Sequence, residues 1–148
     1  MPKEDMIRAM RFEDLDAVCD IEHGVFPNPW PRVFFERDLE SGNTIAFVAE
    51  ENEKVIAYSI GACIDVELHI TNIAVATGCQ RRGIGMSLLK KTEDVAIERG
   101  CSFAYLEVRT NNTAAISMYK KYGYDILYTR KKYYIDGDDA FVMHKELR

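Results

Sequence analysis

Asn72-Ile73-Ala74-Val75, followed by Gln80-Arg81-Arg82-Gly83-Ile84-Gly85 and an amphipathic run to Arg99, is the stretch that decides the fold. It reads as an apolar strand, a short turn with two glycines two apart, and a helix. The first turn of such a helix leaves backbone N–H groups without partners and carries the positive end of the helix dipole. A phosphate binds readily there. Arg81 and Arg82 stand beside it, and Gly83 and Gly85 have no Cβ to hold an anion away from the backbone. The stretch therefore predicts a pyrophosphate cradle. The bland alternative is a tight turn entering an ordinary helix.

Two familiar cradles fail. No Gly-x-x-x-x-Gly-Lys-Ser/Thr string occurs. The dinucleotide fingerprint needs a third glycine at position 88, which is Leu. What stands here is Gln/Arg-x-x-Gly-x-Gly after an apolar strand.

Outward from the cradle, 148 residues suit one domain spanning 1–148, and 47% hydrophobic content suits a soluble core. No apolar run approaches the ~20 residues that span a bilayer, so no membrane partner is expected. Met1-Pro2-Lys3-Glu4-Asp5 is followed by no apolar segment and is no secretion signal. A net charge of −5 disfavours nucleic acid. Cys19, Cys63, Cys79 and Cys101 stand far apart, which predicts free thiols in a reducing cytoplasm and no metal site.

The remaining chain divides readily. Met6–Met10 is a short strand and Glu13–Val25 a helix. Residues 26–31 hold three prolines and form a loop. Val33–Leu39 is a short helix. Thr44–Glu50 and Val55–Cys63 are strands joined by a hairpin turn, and Glu67–Val75 is the strand entering the cradle. Arg82–Arg99 is a helix with Ile84, Leu88, Val95 and Ala96 inward, stopped by Gly100. Phe103–Val108 is a strand, Asn112–Tyr122 a helix, and Tyr124–Lys131 and Ala140–Lys145 are closing strands. The order β-α-α-β-β-β-α-β-α-β-β predicts a three-layer α/β/α domain around a mixed, mostly antiparallel sheet.

Four residues could carry chemistry. Glu107 is a carboxylate inside an apolar strand. It is either a structural partner of Arg109, two residues on and on the same face, or a general base. His69 lies on the strand that leads into the cradle, and a His and a Glu on adjacent strands could hold one water between them. The bland reading of His69 is a satisfied strand histidine. Tyr119 is a core aromatic or an acid, since a phenol (pKa ~10) stays protonated where a departing thiolate (~8.5) needs a proton. Asn111 or Asn112 caps the helix that follows, or Asn112 instead reaches a pantetheine amide; one side-chain oxygen cannot serve both roles well.

These motifs resemble the GNAT superfamily of N-acetyltransferases. The Gln/Arg-x-x-Gly-x-Gly turn is similar to its coenzyme A motif. Leu106-Glu107-Val108-Arg109, Asn112, Ala114-Ala115-Ile116-Ser117-Met118-Tyr119 and Tyr122-Gly123-Tyr124 are similar in order and spacing to protein N-terminal acetyltransferases. Tyr133-Tyr134-Ile135-Asp136-Gly137-Asp138-Asp139-Ala140-Phe141 resembles the tail of the archaeal and eukaryotic catalytic subunits. The bacterial ribosomal-protein alanine acetyltransferases share the first motif and match the tail less well.

The resemblance implies acetyl-CoA as co-substrate, with no metal. It implies that Ile73, Ala74 and Val75 bond the pantetheine through their backbone, and that Arg81, Arg82, Gly83, Ile84, Gly85 and Met86 hold the pyrophosphate. Asn112 and Tyr119 would flank the acetyl end. Glu107 matches the family's catalytic Glu and His69 a water-holding His of archaeal members. Phe26, Asn28, Trp30, Tyr133 and Tyr134 would line the groove for a protein N-terminal peptide, with an auxiliary or ribosome-associated subunit as a further partner. One departure matters: Asn28 stands where the relatives' Leu-Pro-Glu-Asn-Tyr loop has Glu. Two rivals stay open. One is a polyamine or drug acetyltransferase using the Asp136–Asp139 acid cluster; the other is a non-catalytic acetyl-CoA-binding module.

Overall fold

Lys54 to Ile64 builds the centre of the sheet, because its residues from Val55 to Gly61 are buried on both faces. The computed structural model describes residues 6–148. The N-terminal five, read above as no secretion signal, lie outside the described residues. The strands are β1 (Ile7–Ala9), β2 (Thr44–Glu51), β3 (Lys54–Ile64), β4 (Glu67–Val75), β5 (Phe103–Arg109), β6 (Asp125–Arg130) and β7 (Ala140–Glu146). The helices are α1 (Leu15–Val25), α2 (Arg32–Glu40), α3 (Ile84–Glu98) and α4 (Thr113–Lys121). The sheet order is β1-β2-β3-β4-β5-β7-β6, and only β4 and β5 run parallel. This is the predicted three-layer arrangement.

Alternation along β3 divides the core. Tyr58 and Ile60 pack with Leu15, Val18 and Phe35 of α1 and α2. Ala57 packs with Ile84 and Leu88 of α3, and Ser59 bonds Thr92 of the same helix at 3.0 Å. Beyond β5, Leu106, Val108 and Met143 pack with Tyr119 of α4. The β2–β3 hairpin turns on Asn52 and Glu53, both at positive φ (52° and 64°). That is the two-residue loop whose twist suits a hairpin.

One departure from regularity positions the site. At Thr71 the β3–β4 register shifts by one residue, so that Ile60 faces Asn72 while Gly61 faces Ile70. Gly61 permits this close approach, since a Cβ there would lie 2.8 Å from Leu68 Cδ1 and 3.3 Å from the His69 carbonyl. A bulge bends and twists its strand. Pairing of β4 with β5 stops at the same place, at Ile70–Leu106, although β4 runs on to Val75 and β5 to Arg109. The two strands part there and leave a wedge open at their C-terminal ends.

Candidate functional site

The cradle lies where β4 leaves the sheet. Gln80 Nε2 donates to the Val75 carbonyl at 3.1 Å, folding the turn back on the strand. Gly83 takes φ +79° as the residue before α3, so the helix begins at Ile84 rather than at Arg82 as predicted. A left-handed residue cannot continue a helix, and glycine adopts that conformation without strain. No side chain caps α3, and no acidic residue occupies its first turn. The N–H groups of Ile84, Gly85 and Met86 therefore have no intrahelical acceptor. A Cβ on Gly85 would meet only Val75 Cγ2, at an ordinary 3.6 Å. The fold itself does not require a glycine there, whereas an anion seated on these amides does.

The two arginines have different tasks. Arg82, expected at the pyrophosphate, instead makes two hydrogen bonds to the Glu51 carboxylate on the β2–β3 hairpin, the Nη1–Oε1 one at 3.1 Å. That guanidinium holds the Glu51 carboxyl below its ordinary pKa. Arg81 is exposed, sits at φ +65°, and has no ion-pair partner among the described residues. We expect Arg81→Ala combined with Gly85→Val to weaken acetyl-CoA binding by ~10–100-fold, the size of a lost charge-assisted hydrogen bond. Arg82→Ala alone should do less. Titration calorimetry on the folded variants checks both, and an unchanged affinity in the double variant would remove the cradle from the site.

Along the wedge, Ile73, Ala74 and Val75 pair with Ser59, Tyr58 and Ala57 on one edge, while no strand pairs their other edge. Asn112 proves to be the cap of α4: its Oδ1 accepts from Ala115 N at 3.2 Å. Its amide N–H₂ alone is left for any further contact. Tyr119 is 6% exposed and meets Tyr124 edge-on, with centroids 5.9 Å apart. Burial raises its phenol pKa, and nearby Tyr134 adds a smaller rise. A proton held that firmly stays in place at neutral pH.

At the point of parting, His69 Nε2 lies 2.7 Å from Glu107 Oε1. The sequence reading left room for a water between them; the side chains touch directly. An ionised carboxylate has no hydrogen to give, so His69 Nε2 is the donor. His69 also stacks on Tyr105, with centroids 4.3 Å apart and planes within 5°. Glu107 is 9% exposed at its side chain and His69 28%, so the pair opens to solvent through the imidazole.

Arg109 does not pair with Glu107. It bonds Asp136 at 2.9 and 3.0 Å and Asp138 at 2.9 Å, and its guanidinium lies 4.0 Å from the centroid of Tyr134. Asp139 accepts from Lys132 N at 2.9 Å. The acid cluster is thus spent on locking its own loop. Tyr133 and Tyr134 meet edge-on at 5.0 Å. Burial raises the pKa of both phenols, that of Tyr134 to about 12, and the Glu107 charge adds to each rise.

Residues 26–31 are held from inside by Glu22, which composition and spacing gave no reason to single out. Its carboxylate is 1% exposed and takes three donors: Trp30 N at 2.9 Å, Asn72 Nδ2 at 2.8 Å and the Tyr58 hydroxyl. Trp30 packs on Phe34 and Phe35, with centroids 5.9 and 5.4 Å apart. Phe26 is partly buried against the same cluster. Asn28 is exposed in this loop. The only sequence signal for Glu22 was a carboxylate amid the helix's apolar positions, one residue from Ile21.

An uncapped helix N-terminus, a parted β4–β5 pair and a Glu at the fork thus lie toward the C-terminal ends of β4 and β5. Residues 15–124 match the Acetyltransferase (GNAT) family. The chain belongs to this family. An uncharacterized N-acetyltransferase of Methanocaldococcus jannaschii is 34% identical over 142 residues, 95% of this chain and 91% of that protein. An N-alpha-acetyltransferase of Sulfurisphaera tokodaii is 32% identical over 154 residues, covering 95% and 92%. The crystal structure of the ribosomal-protein-S18-alanine N-acetyltransferase from Escherichia coli superposes with a TM-score of 0.88 at 32% identity, covering 95% and 92%. As a GNAT acetyltransferase, the protein has the fold expected from its sequence. Among the described residues no helix is long and apolar enough to cross a membrane.

Proposed function

We propose that the protein transfers an acetyl group from acetyl-CoA to the α-amine at a protein N-terminus, by direct attack in a ternary complex. The observation that carries this reading is the His69–Glu107 pair at the fork of β4 and β5. Acetyl-CoA supplies an activated acetyl thioester. The three free amides of α3, the open edge of Ile73–Val75 and the space at Gly85 fit its pyrophosphate and pantetheine. Family membership supports the same donor.

In this reading Glu107 takes the proton that the α-amine loses as it attacks. His69 donates to Glu107 and orients it, and the proton gained by Glu107 leaves to solvent after the transfer. Tyr119 gives its proton to the departing sulfur. An α-amine with pKa ~8 is about a tenth neutral at pH 7, whereas a lysine at ~10.4 is neutral about four times in ten thousand. That gap is worth roughly 3 kcal/mol, so one carboxylate serves an N-terminus more readily than an internal lysine. The S. tokodaii and E. coli relatives act on such amines by name. Ribosomal proteins are accordingly among the acceptors to test, and the cytoplasm is the compartment where they would be met. The polyamine rival loses its acid pocket, because Asp136 and Asp138 are bound to Arg109.

The test is incubation with acetyl-CoA and short peptides, free or blocked at the α-amine, beside spermidine. Acetylation confined to free α-amines is the expected result. Equal rates on blocked peptides carrying lysine, or on spermidine alone, would sink the reading. Cofactor binding with no turnover would make the protein a binding module instead.

A further inference from the structure

A hollow of about 220 Å³ opens beside the catalytic pair, lined by Trp30, Phe34, Arg37, Asp38 and Thr71. None of the mechanism above uses it. Thr71 is two residues along β4 from His69, which puts this edge of the hollow within about 7 Å of that residue along the strand. Trp30 belongs to the loop held by Glu22, and Phe34 is 44% exposed on α2. Two aromatic rings therefore form one wall, and a carboxylate stands beside them.

That carboxylate is oddly placed for a purely structural residue. Asp38 lies in the last turn of α2, where the helix dipole disfavours an anion. It is half-buried and has no salt bridge or side-chain hydrogen bond among the described residues. Burial alone raises its pKa, with no neighbouring cation to offset the rise. Arg37 is exposed at the rim and is not paired with it. An anion beside aromatic faces, left unpaired although Arg37 lines the same hollow, is the chemistry that receives a cation from outside.

We propose that this hollow receives a basic side chain, lysine or arginine, from residues 2–4 of the acceptor protein. The proposal rests on the reading of the acceptor as a protein N-terminus. The position follows from reach. With the α-amine at Glu107, an extended chain gains ~3.4 Å per residue, so the side chains of residues 2–4 pass the mouth of the hollow.

The test uses a free-amine peptide with norleucine at positions 2, 3 and 4, and three versions with lysine at one of these. Norleucine keeps the aliphatic stem and drops the charge. We expect lysine at one position to raise kcat/KM by about tenfold through KM, as a desolvated cation on an aromatic wall warrants. In Asp38→Asn the lysine-to-norleucine ratio should fall close to one, and Asp38→Glu should restore it. Phe34→Leu, on an exposed helix face, should lower the ratio partway and serves if Asp38→Asn fails to fold. A ratio near one at all three positions in the wild type overturns the proposal. So does a lysine preference that survives Asp38→Asn, since the protein's net charge of −5 would then be its source. Acetylation of no free-amine peptide would overturn the parent reading and this one with it. Equal acetylation of lysine and norleucine peptides overturns this one alone.

Discussion

Glu107→Gln should lower turnover ~10²–10⁴-fold while acetyl-CoA still binds. Glutamine keeps the shape and can still accept from His69 Nε2, but it has no basicity. The loss should shrink as pH rises. With no base, the α-amine must lose its proton unaided. Its neutral fraction climbs from about a tenth at pH 7 to about nine tenths at pH 9. Tyr119→Phe should show no such recovery, because its task is to give a proton to the sulfur. His69→Ala should cost less than Glu107→Gln, since the imidazole touches the carboxylate and not the amine. Steady-state rates across pH 7–9 with matched peptides check this series. A Gln variant that melts many degrees lower, with normal turnover in its folded fraction, would make Glu107 a structural residue. Its bond to His69 is then all it does.

The second large effect is on stability. Glu22→Ala leaves Trp30 N–H, the Asn72 amide and the Tyr58 hydroxyl without their shared acceptor, in a space that is 1% exposed. Leaving a buried donor without an acceptor costs ~1–3 kcal/mol, so losing the acceptor of three costs at least ~3 kcal/mol. For a chain of this length that is a fall in Tm of roughly 10 °C. Glu22→Gln should fall less, because one oxygen remains to accept. The KM for peptide should also rise in both variants, because Trp30 loses its tether. Thermal unfolding with parallel peptide kinetics decides the matter. A Tm within about 2 °C of wild type for Glu22→Ala would mean that the three donors find other partners.

Much of the fold was legible because its signals are local. Apolar runs in β2 and β3 and period-2 alternation in β4 and β5 mark the strands, and the prolines at 27, 29 and 31 exclude helix. Asn112 and Gly123 bracket α4 as a cap and a stop. The sheet order was less accessible. β7 inserts between β5 and β6, and no residue in any one strand announces its neighbour. The site divided in the same way. Glu107 and His69 could be named because each is polar in an apolar strand, and the strands proved adjacent. Their direct contact could not be read, since it depends on the parallel register that sets His69 opposite Tyr105. The partners of Arg82 and Arg109 were invisible for a different reason. Long charged side chains choose among several reachable carboxylates, and Glu51 and Asp136 are 31 and 27 residues away. Glu22 was missed because a buried acid in a helix looks like an exposed one until the opposing strands are in place.

The single parallel seam between β4 and β5 also bears on how the chain folds. Strands β2, β3 and β4 are sequential antiparallel neighbours joined by short turns, which can form early. The β4–β5 seam is different: it forms only after the α3 crossover has brought distant segments together. His69 and Glu107, 38 residues apart, meet across it. The reactive pair is therefore not preassembled in either half of the chain. It comes into being only when the α3 crossover has closed, so a nascent chain cannot assemble the pair before β5 has docked.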